Sequence, residues 1–399
     1  MNQFEISRRR FLQFSGASIG ASAVTLSLSD IAEAALRQPP LPRSTPILVV
    51  VTLYGGNDGL NTVVPYTDPL YSALRPGLSY TPSQVLPLAN GLGLNPAMKA
   101  MHDLWNKKQL AVVLGTGYPN PNHSHFSSMA IWQSASPQTS VSTGWLGRWL
   151  DTLPHNPLKA IAIGSVLPPL LAGAHQVGSV LPQGGLSIPT GDFGAKLQSL
   201  ATPSSNDSLF ASEAATSISD LYSVGATVQP VLAQAGASSG NPLKDQLSTV
   251  ASLIGASVPT QVYAVSMTGF DTHANELGAQ STLLGQFSDA VGSFMTSLGQ
   301  LKNAPNVTLM AYSEFGRRAA ANGSAGTDHG TAGPVFVVGN KVAGGLYGEQ
   351  PPLNALVDGD LAVTQDFRSI YASLLTSVLK ADPTAVLNGW NTTLPFLTF

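Results

Sequence analysis

Asn306–Gly339 reads NVTLMAYSEFGRRAAANGSAGTDHGTAGPVFVVG, and its two apolar ends decide the fold. Val307–Tyr312 and Pro334–Val338 are short and rich in β-formers, so each predicts a buried strand. Between them runs a polar crossing with Ser313, Glu314, Arg317, Arg318, Asn322, Asp328 and His329, loosened by Gly316, Gly323, Gly326 and Gly330. The whole chain is only 10% charged, which makes this crossing its densest collection of acid, base and imidazole. Open α/β sheets bind ligands off the carboxyl ends of their strands. The other strands therefore matter for what they carry at their exits.

Pro46–Tyr54 (PILVVVTLY) is a near-continuous apolar run, as in a central parallel strand covered on both faces. It breaks at Gly55-Gly56-Asn57-Asp58-Gly59, which sets Asp58 at the exit, although an ordinary Asn-Asp-Gly turn gives the same pattern. Leu110–Gly115 is a second buried strand and empties into a loop with Asn122, His123, Ser124 and His125. In extended chain the two imidazoles share a face, suited to a metal or a base, while Ser124 points oppositely. A polar surface loop that happens to contain histidine is the plainer alternative. Lys159–Gly164 is a third strand. Gln261–Met267 is a fourth, and Asp271 and His273 leave its end two residues apart, on one face of an extended backbone. There the plainer alternative is an acid-capped loop entering the helix expected over Leu277–Leu301.

Elsewhere the patterns are structural. Pro96–Lys107 has Met98, Met101, Leu104 and Trp105 at helical spacing, and Trp145, Trp149 and Leu150 read as helix core with Arg148 facing out. Gly344–Gly348 reads as a turn, and Asp366 as a dipole partner in the first turn of a helix. From about 168 to 259 the sequence becomes rich in Ser, Ala and Gly and predicts a helical insertion. Gly236-Ala237-Ser238-Ser239-Gly240 matches G-x-S-x-G, but no apolar strand precedes it, so a serine-esterase role for Ser238 ranks last.

Bulk composition narrows the chemistry. The net charge is −3 and no basic run exists beyond Arg8–Arg10, so no nucleic-acid partner is expected. Cysteine is absent, which excludes disulfides, thiolate catalysis and Cys-type zinc sites. Ser7-Arg8-Arg9-Arg10-Phe11-Leu12-Gln13, a weakly apolar Phe14–Leu28 and Ala32-Glu33-Ala34 form a basic region, an apolar region and a cleavage site in order. The paired arginines mark the twin-arginine variant, which makes that export machinery a partner and the periplasm or exterior the destination. Residues 1–34 would be the signal peptide and 35–399 one α/β domain. No later segment has the length and apolarity of a transmembrane span.

Asp58, the His123–His125 loop, Asp271, His273 and Glu314 all follow strands, and His329 precedes one. Four of the seven histidines fall in these junctions, which points to one shared site. Carboxylates and imidazoles without thiolates suit zinc, manganese or iron. Two such ions could clamp an in-line displacement at phosphorus or sulfur, with Arg317 or Arg318 on the oxyanion.

The twin-arginine leader, VVTLYGGNDGLNTVVP, PNHSHFSSMAIWQ, FDTHANE, YSEFGRR and GTDHGTAGPVFVVG together resemble the domain-of-unknown-function 1501 family, grouped with the alkaline phosphatase–sulfatase superfamily. The resemblance implies a three-layer α/β/α fold with a central, mostly parallel sheet and one or two divalent metals, zinc or manganese foremost. By that plan Asp58 resembles the first-strand metal aspartate and Ser124 lies in the nucleophile region. Asp271 and His273 resemble an Asp…His ligand pair, and His329 the last metal histidine. Where relatives have Asp-His after the late strand, this chain has Glu314-Phe315. Asp328-His329 is the alternative pair. The expectation is an exported metal-dependent hydrolase of small phosphate or sulfate esters. Ser124, His125 and Arg317 would be catalytic, and Asp58, Asp271, His273, Glu314 and His329 would be ligands. The alternative is a non-catalytic exported or surface-associated binding protein on the same scaffold.

Overall fold

The computed structural model describes residues 41–42, 44–183, 185–232, 238–301 and 307–399. The signal segment 1–34 and the first two residues of the G-x-S-x-G match lie outside the described residues. Two compact units separate, one containing residues 184–234 and the other containing 40–183 and 235–399.

The larger unit is built on a nine-stranded sheet. Its strands are β1 (Ile47–Leu53), β2 (Leu110–Gly117), β3 (Ala160–Ile163), β4 (Ser179–Leu181), β5 (Val262–Met267), β6 (Val307–Ser313), β7 (Gly333–Gly339), β8 (Gly345–Tyr347) and β9 (Gln365–Asp366). The order is β8-β2-β7-β6-β1-β5-β3-β4, with β9 also paired to β2. β1 lies between β5 and β6, parallel to both, and every residue of it is buried. That is why it reads as an unbroken apolar run. β7 pairs antiparallel with both β6 and β2, and the other pairings in the sheet are parallel.

Alternation along the strands divides the core into two faces. Leu48, Val50, Ala264, Met310, Tyr312 and Val337 pack with helices α2 (His125–Ser134), α3 (Trp145–Asp151) and α8 (Arg368–Leu374). Trp145 stacks on Tyr371 at 4.4 Å and Trp132 on Tyr312 at 5.0 Å, closing that layer. The opposite face is covered by α1 (Lys99–Asn106), α6 (Pro242–Gly255) and α7 (Glu276–Leu298), where Phe287 of α7 meets Phe336 of β7. The fold is therefore a three-layer α/β/α arrangement with a mostly parallel central sheet. The smaller unit contains α4 (Gly191–Ser199) and α5 (Leu209–Leu232), with Tyr222 donating its hydroxyl to the Gly194 carbonyl at 2.9 Å.

Several local expectations change. The Ser/Ala/Gly-rich stretch 168–259 is not uniform, because β4 joins the main sheet and α6 packs its Leu243, Leu247 and Val250 into the larger unit. Gly344–Gly348 contains β8 rather than only a turn. Asp366 ends β9 ahead of the helix, and its carboxylate accepts from the Arg368 amide and guanidinium. Arg148 does not face out: its guanidinium donates to the carbonyls of Val386, Thr143 and Ser134.

Candidate metal centre

The antiparallel course of β7 builds the site. β6 ends at Ser313 and β7 begins at Gly333 on the same edge, so the crossing between them lies beside the exits of β1 and β5. In an all-parallel sheet His329, standing before a strand, would lie at the opposite edge.

Four side chains converge. The Asp271 Oδ1 atom lies 3.0 Å from His273 Nε2, 3.2 Å from His329 Nε2 and 3.5 Å from His125 Nε2. His273 Nε2 and His329 Nε2 are 2.9 Å apart. Each imidazole turns its other nitrogen to an acceptor. His125 Nδ1 donates to Glu314 Oε1 at 2.8 Å, His329 Nδ1 to the His123 carbonyl at 2.7 Å, and His273 Nδ1 faces Asp328 Oδ1 at 3.4 Å. The partners of His125 and His329 place their protons on Nδ1 and leave both Nε2 lone pairs aimed at Asp271 Oδ1, while His273 Nε2 either donates to them or offers a third lone pair. His125 Nε2 is buried and has no hydrogen-bond partner. Ring nitrogens 2.9 Å apart beside a carboxylate share either a proton or a cation. Tetrahedral zinc with bonds of about 2.0–2.1 Å would place its ligand atoms roughly 3.3 Å apart, close to what is found. The donor set therefore fits a divalent ion. His125, Asp271 and His329 each offer one ligand atom, all within 4.8 Å of one another.

The surroundings hold Asp271 and His329 in the charge states that bind metal. Burial would raise the Asp271 carboxyl, but the hydrogen bond and charge of Arg317 outweigh it and lower it to about 2. Burial, with Arg317 and His125 nearby, holds His329 below the usual imidazole range, so it stays neutral.

The remaining expected residues take other places. Asp58 stands outside the group: it is fully buried, ion-paired with Arg75 Nη1, and accepts from the Leu60 amide at 3.2 Å. Burial alone would raise its carboxyl, yet the Arg75 guanidinium wins and holds it low. Glu314 sits behind His125 and not among the converging atoms, accepting also from the Gly55 amide at 2.9 Å and from Ser313 Oγ. Arg317 is buried and spends its donors on the carbonyls of Gly55, Gly56, Phe270 and Thr327 and on Asp271 Oδ1 at 2.6 Å. It ties the exits of β1 and β5 to the crossing and has little left for a substrate anion. His125, expected as a catalytic group, has its Nε2 among the converging atoms. Ser124 is exposed at the amino end of α2 and its hydroxyl does not cap that helix. His123 points away, to Asp360 Oδ2 at 2.8 Å. Ser238 bonds Asp245 Oδ2 at 2.6 Å in an exposed loop, with no histidine beside it among the described contacts.

Close backbone approach explains Gly55. A Cβ there would come within 2.5 Å of the Asp271 amide, and its φ of +119° is strained for any other residue. Sequence reasoning missed Arg75, Glu276 and Asp360. Glu276, the first residue of α7, is fully buried beside Asp58 and accepts from Thr327 Oγ1 at 2.5 Å. Burial and the neighbouring Asp58 carboxylate push its pKa up to about 9. An acid opening a helix gave a signal for Glu276, but nothing in spacing marks Arg75.

Residues 192–381 match the family model DUF1501, described as a protein of unknown function. The DUF1501 span carries Asp271, His273, Glu314, Arg317 and His329, whereas Asp58, Ser124 and His125 precede it. No curated protein matches the chain. Among solved structures, it is similar to a protein in the alkaline phosphatase superfamily from Vibrio parahaemolyticus. That likeness has 10% identity and a TM-score of 0.39 over 93% of this chain and 80% of that one. A Streptococcus pyogenes phosphoglycerol transferase in complex with sn-glycerol-1-phosphate is similar at 11% identity and TM-score 0.39, over 92% and 85% of the two chains. The alkaline phosphatase from the Antarctic bacterium TAB5 is similar at 12% identity and TM-score 0.36, over 76% and 94%.

Proposed function

We propose that the protein is an exported, metal-dependent hydrolase of phosphate or sulfate esters, with His125, Asp271, His273 and His329 holding a divalent ion. The observation that carries this is the convergence of three imidazole Nε2 atoms on Asp271 Oδ1, with His125 Nε2 buried and unpartnered. A bound zinc or manganese ion would supply Lewis acidity at the ester oxygen. Glu314, Asp328 and the His123 carbonyl orient the rings, the outer contacts on which metal affinity depends. Arg317 fixes Asp271 as a positioning residue. Ser124, adjoining His125 with its hydroxyl unused by the helix, is the nucleophile. Arg318, 43% exposed with Nε 3.8 Å from Asp360, takes the anion contact in place of Arg317. Export rests on the leader sequence, and among the described residues no helix is long and apolar enough to cross a membrane.

Spent donors on Arg317 favour the second reading, a binding protein that holds metal and does no chemistry. Metal analysis and turnover on the full chain separate the two. The hydrolase binds zinc or manganese stoichiometrically and loses it in His329→Ala and Asp271→Ala. It cleaves an aryl phosphate or sulfate, and Ser124→Ala keeps the metal but loses turnover by about 100-fold or more. A metal-replete protein inert on both esters is the binding protein. A protein that takes up no metal overturns both.

A further inference from the structure

A cavity of about 480 Å³ opens at the carboxyl ends of β1, β3 and β5, the sheet edge from which the Asp271 loop also leaves. Its size falls in the range of small-molecule sites, about 300–1,000 Å³. Thr52, Tyr54, Gly164, Val166, Gln246 and Ser266 are among its walls, and no acid, base or imidazole lines it among the described residues. The walls are fixed. Gln246 spends both ends of its amide on the Ser266 backbone, at 2.8 and 3.0 Å, and the Tyr54 hydroxyl accepts from Gln133 at 3.1 Å. Val166, 76% exposed, adds an apolar contact.

One peptide joins cavity to centre. Tyr54 lines the cavity, while Gly55 gives its amide to Glu314 and lies against the Asp271 backbone. We propose that this cavity receives the alcohol portion of the ester and selects an uncharged, ring-sized one. This rests on the hydrolase reading above. A charged group there would meet no counter-charge from the walls.

Gly164 offers a clean probe. A Cβ there meets no atom within 4 Å, and its amide bond to the Leu181 carbonyl does not involve a side chain. Gly164→Phe should therefore fold, with a melting temperature matching the parent, and place a ring at the cavity wall that narrows it. The full-length, metal-loaded protein is titrated calorimetrically with 2-naphthylmethanol, and its kcat/KM is compared for naphthyl phosphate and the same ester carrying a ring sulfonate. The parent binds the alcohol, Gly164→Phe binds it at least about tenfold more weakly, and the uncharged ester is preferred by at least about tenfold. Absence of alcohol binding, or equal binding by parent and variant, overturns the assignment. So does equal turnover of the two esters, which would leave the hydrolase reading standing. Binding lost in the variant without cleavage of either phosphate ester or of naphthyl sulfate keeps the cavity as a neutral-ligand site and removes the hydrolase.

Discussion

Asp58 shows how far a residue's role depends on partners that sequence spacing does not display. It stands at a strand exit, as a ligand would, yet Arg75 claims its carboxylate inside the protein. Glu276 completes that buried trio and can remain there because it is neutral. An unfolded glutamate ionises near about 4.3, so unfolding releases a proton at neutral pH. The stability contributed by protonated Glu276 is complete below about pH 4 and drains away as pH rises towards 9. Glu276→Gln, which keeps a donor and cannot ionise, should flatten this loss. Melting temperatures of both proteins at pH 5 and pH 8 provide the check. An equal fall in the two would mean that Glu276 is already charged. His125, Asp271, His273 and His329 were legible as chemistry because each adjoins an apolar strand. The engagement of Arg317 was not legible because most of the carbonyls that occupy it, those of Gly55, Gly56 and Phe270, come from segments far away in sequence.

At the scale of elements, the strands buried on both faces were plain in the sequence and the edge strands were not. β1, β5 and β6 are predominantly apolar runs because helices cover both sides. β4 and β8 are three residues each and half-buried, and the glycines flanking β8 read as a turn. Strand direction was hidden as well, since a buried apolar run has the same composition whichever way it runs. β7 therefore gave no warning that it returns antiparallel. Its anchor on the α7 face is Phe336, 1% exposed with its ring 6.0 Å from that of Phe287. Phe336→Ala should cost roughly 3–5 kcal/mol of unfolding free energy, read from the urea midpoint. A loss below about 1 kcal/mol would show that β7 is not a packed interior strand.

At the scale of the molecule, the converging atoms come from the amino end of α2, the exit of β5 and the crossing before β7. An ion held there exists only in the folded chain, so it stabilises that state by mass action, about 4 kcal/mol at a thousand-fold excess over its dissociation constant. Stripping the metal-loaded protein with a chelator should lower its melting temperature by at least about 3 °C, and adding zinc or manganese back should restore it. An unchanged transition would count against a metal shared among these segments.

The return of β7 also bears on durability. Because the stretch bearing Arg317 and His329 is held at both ends by neighbouring strands, a nick within it would not release a free arm. The severed halves would stay clamped in the sheet, and a protease-clipped protein should still migrate as one particle until denatured.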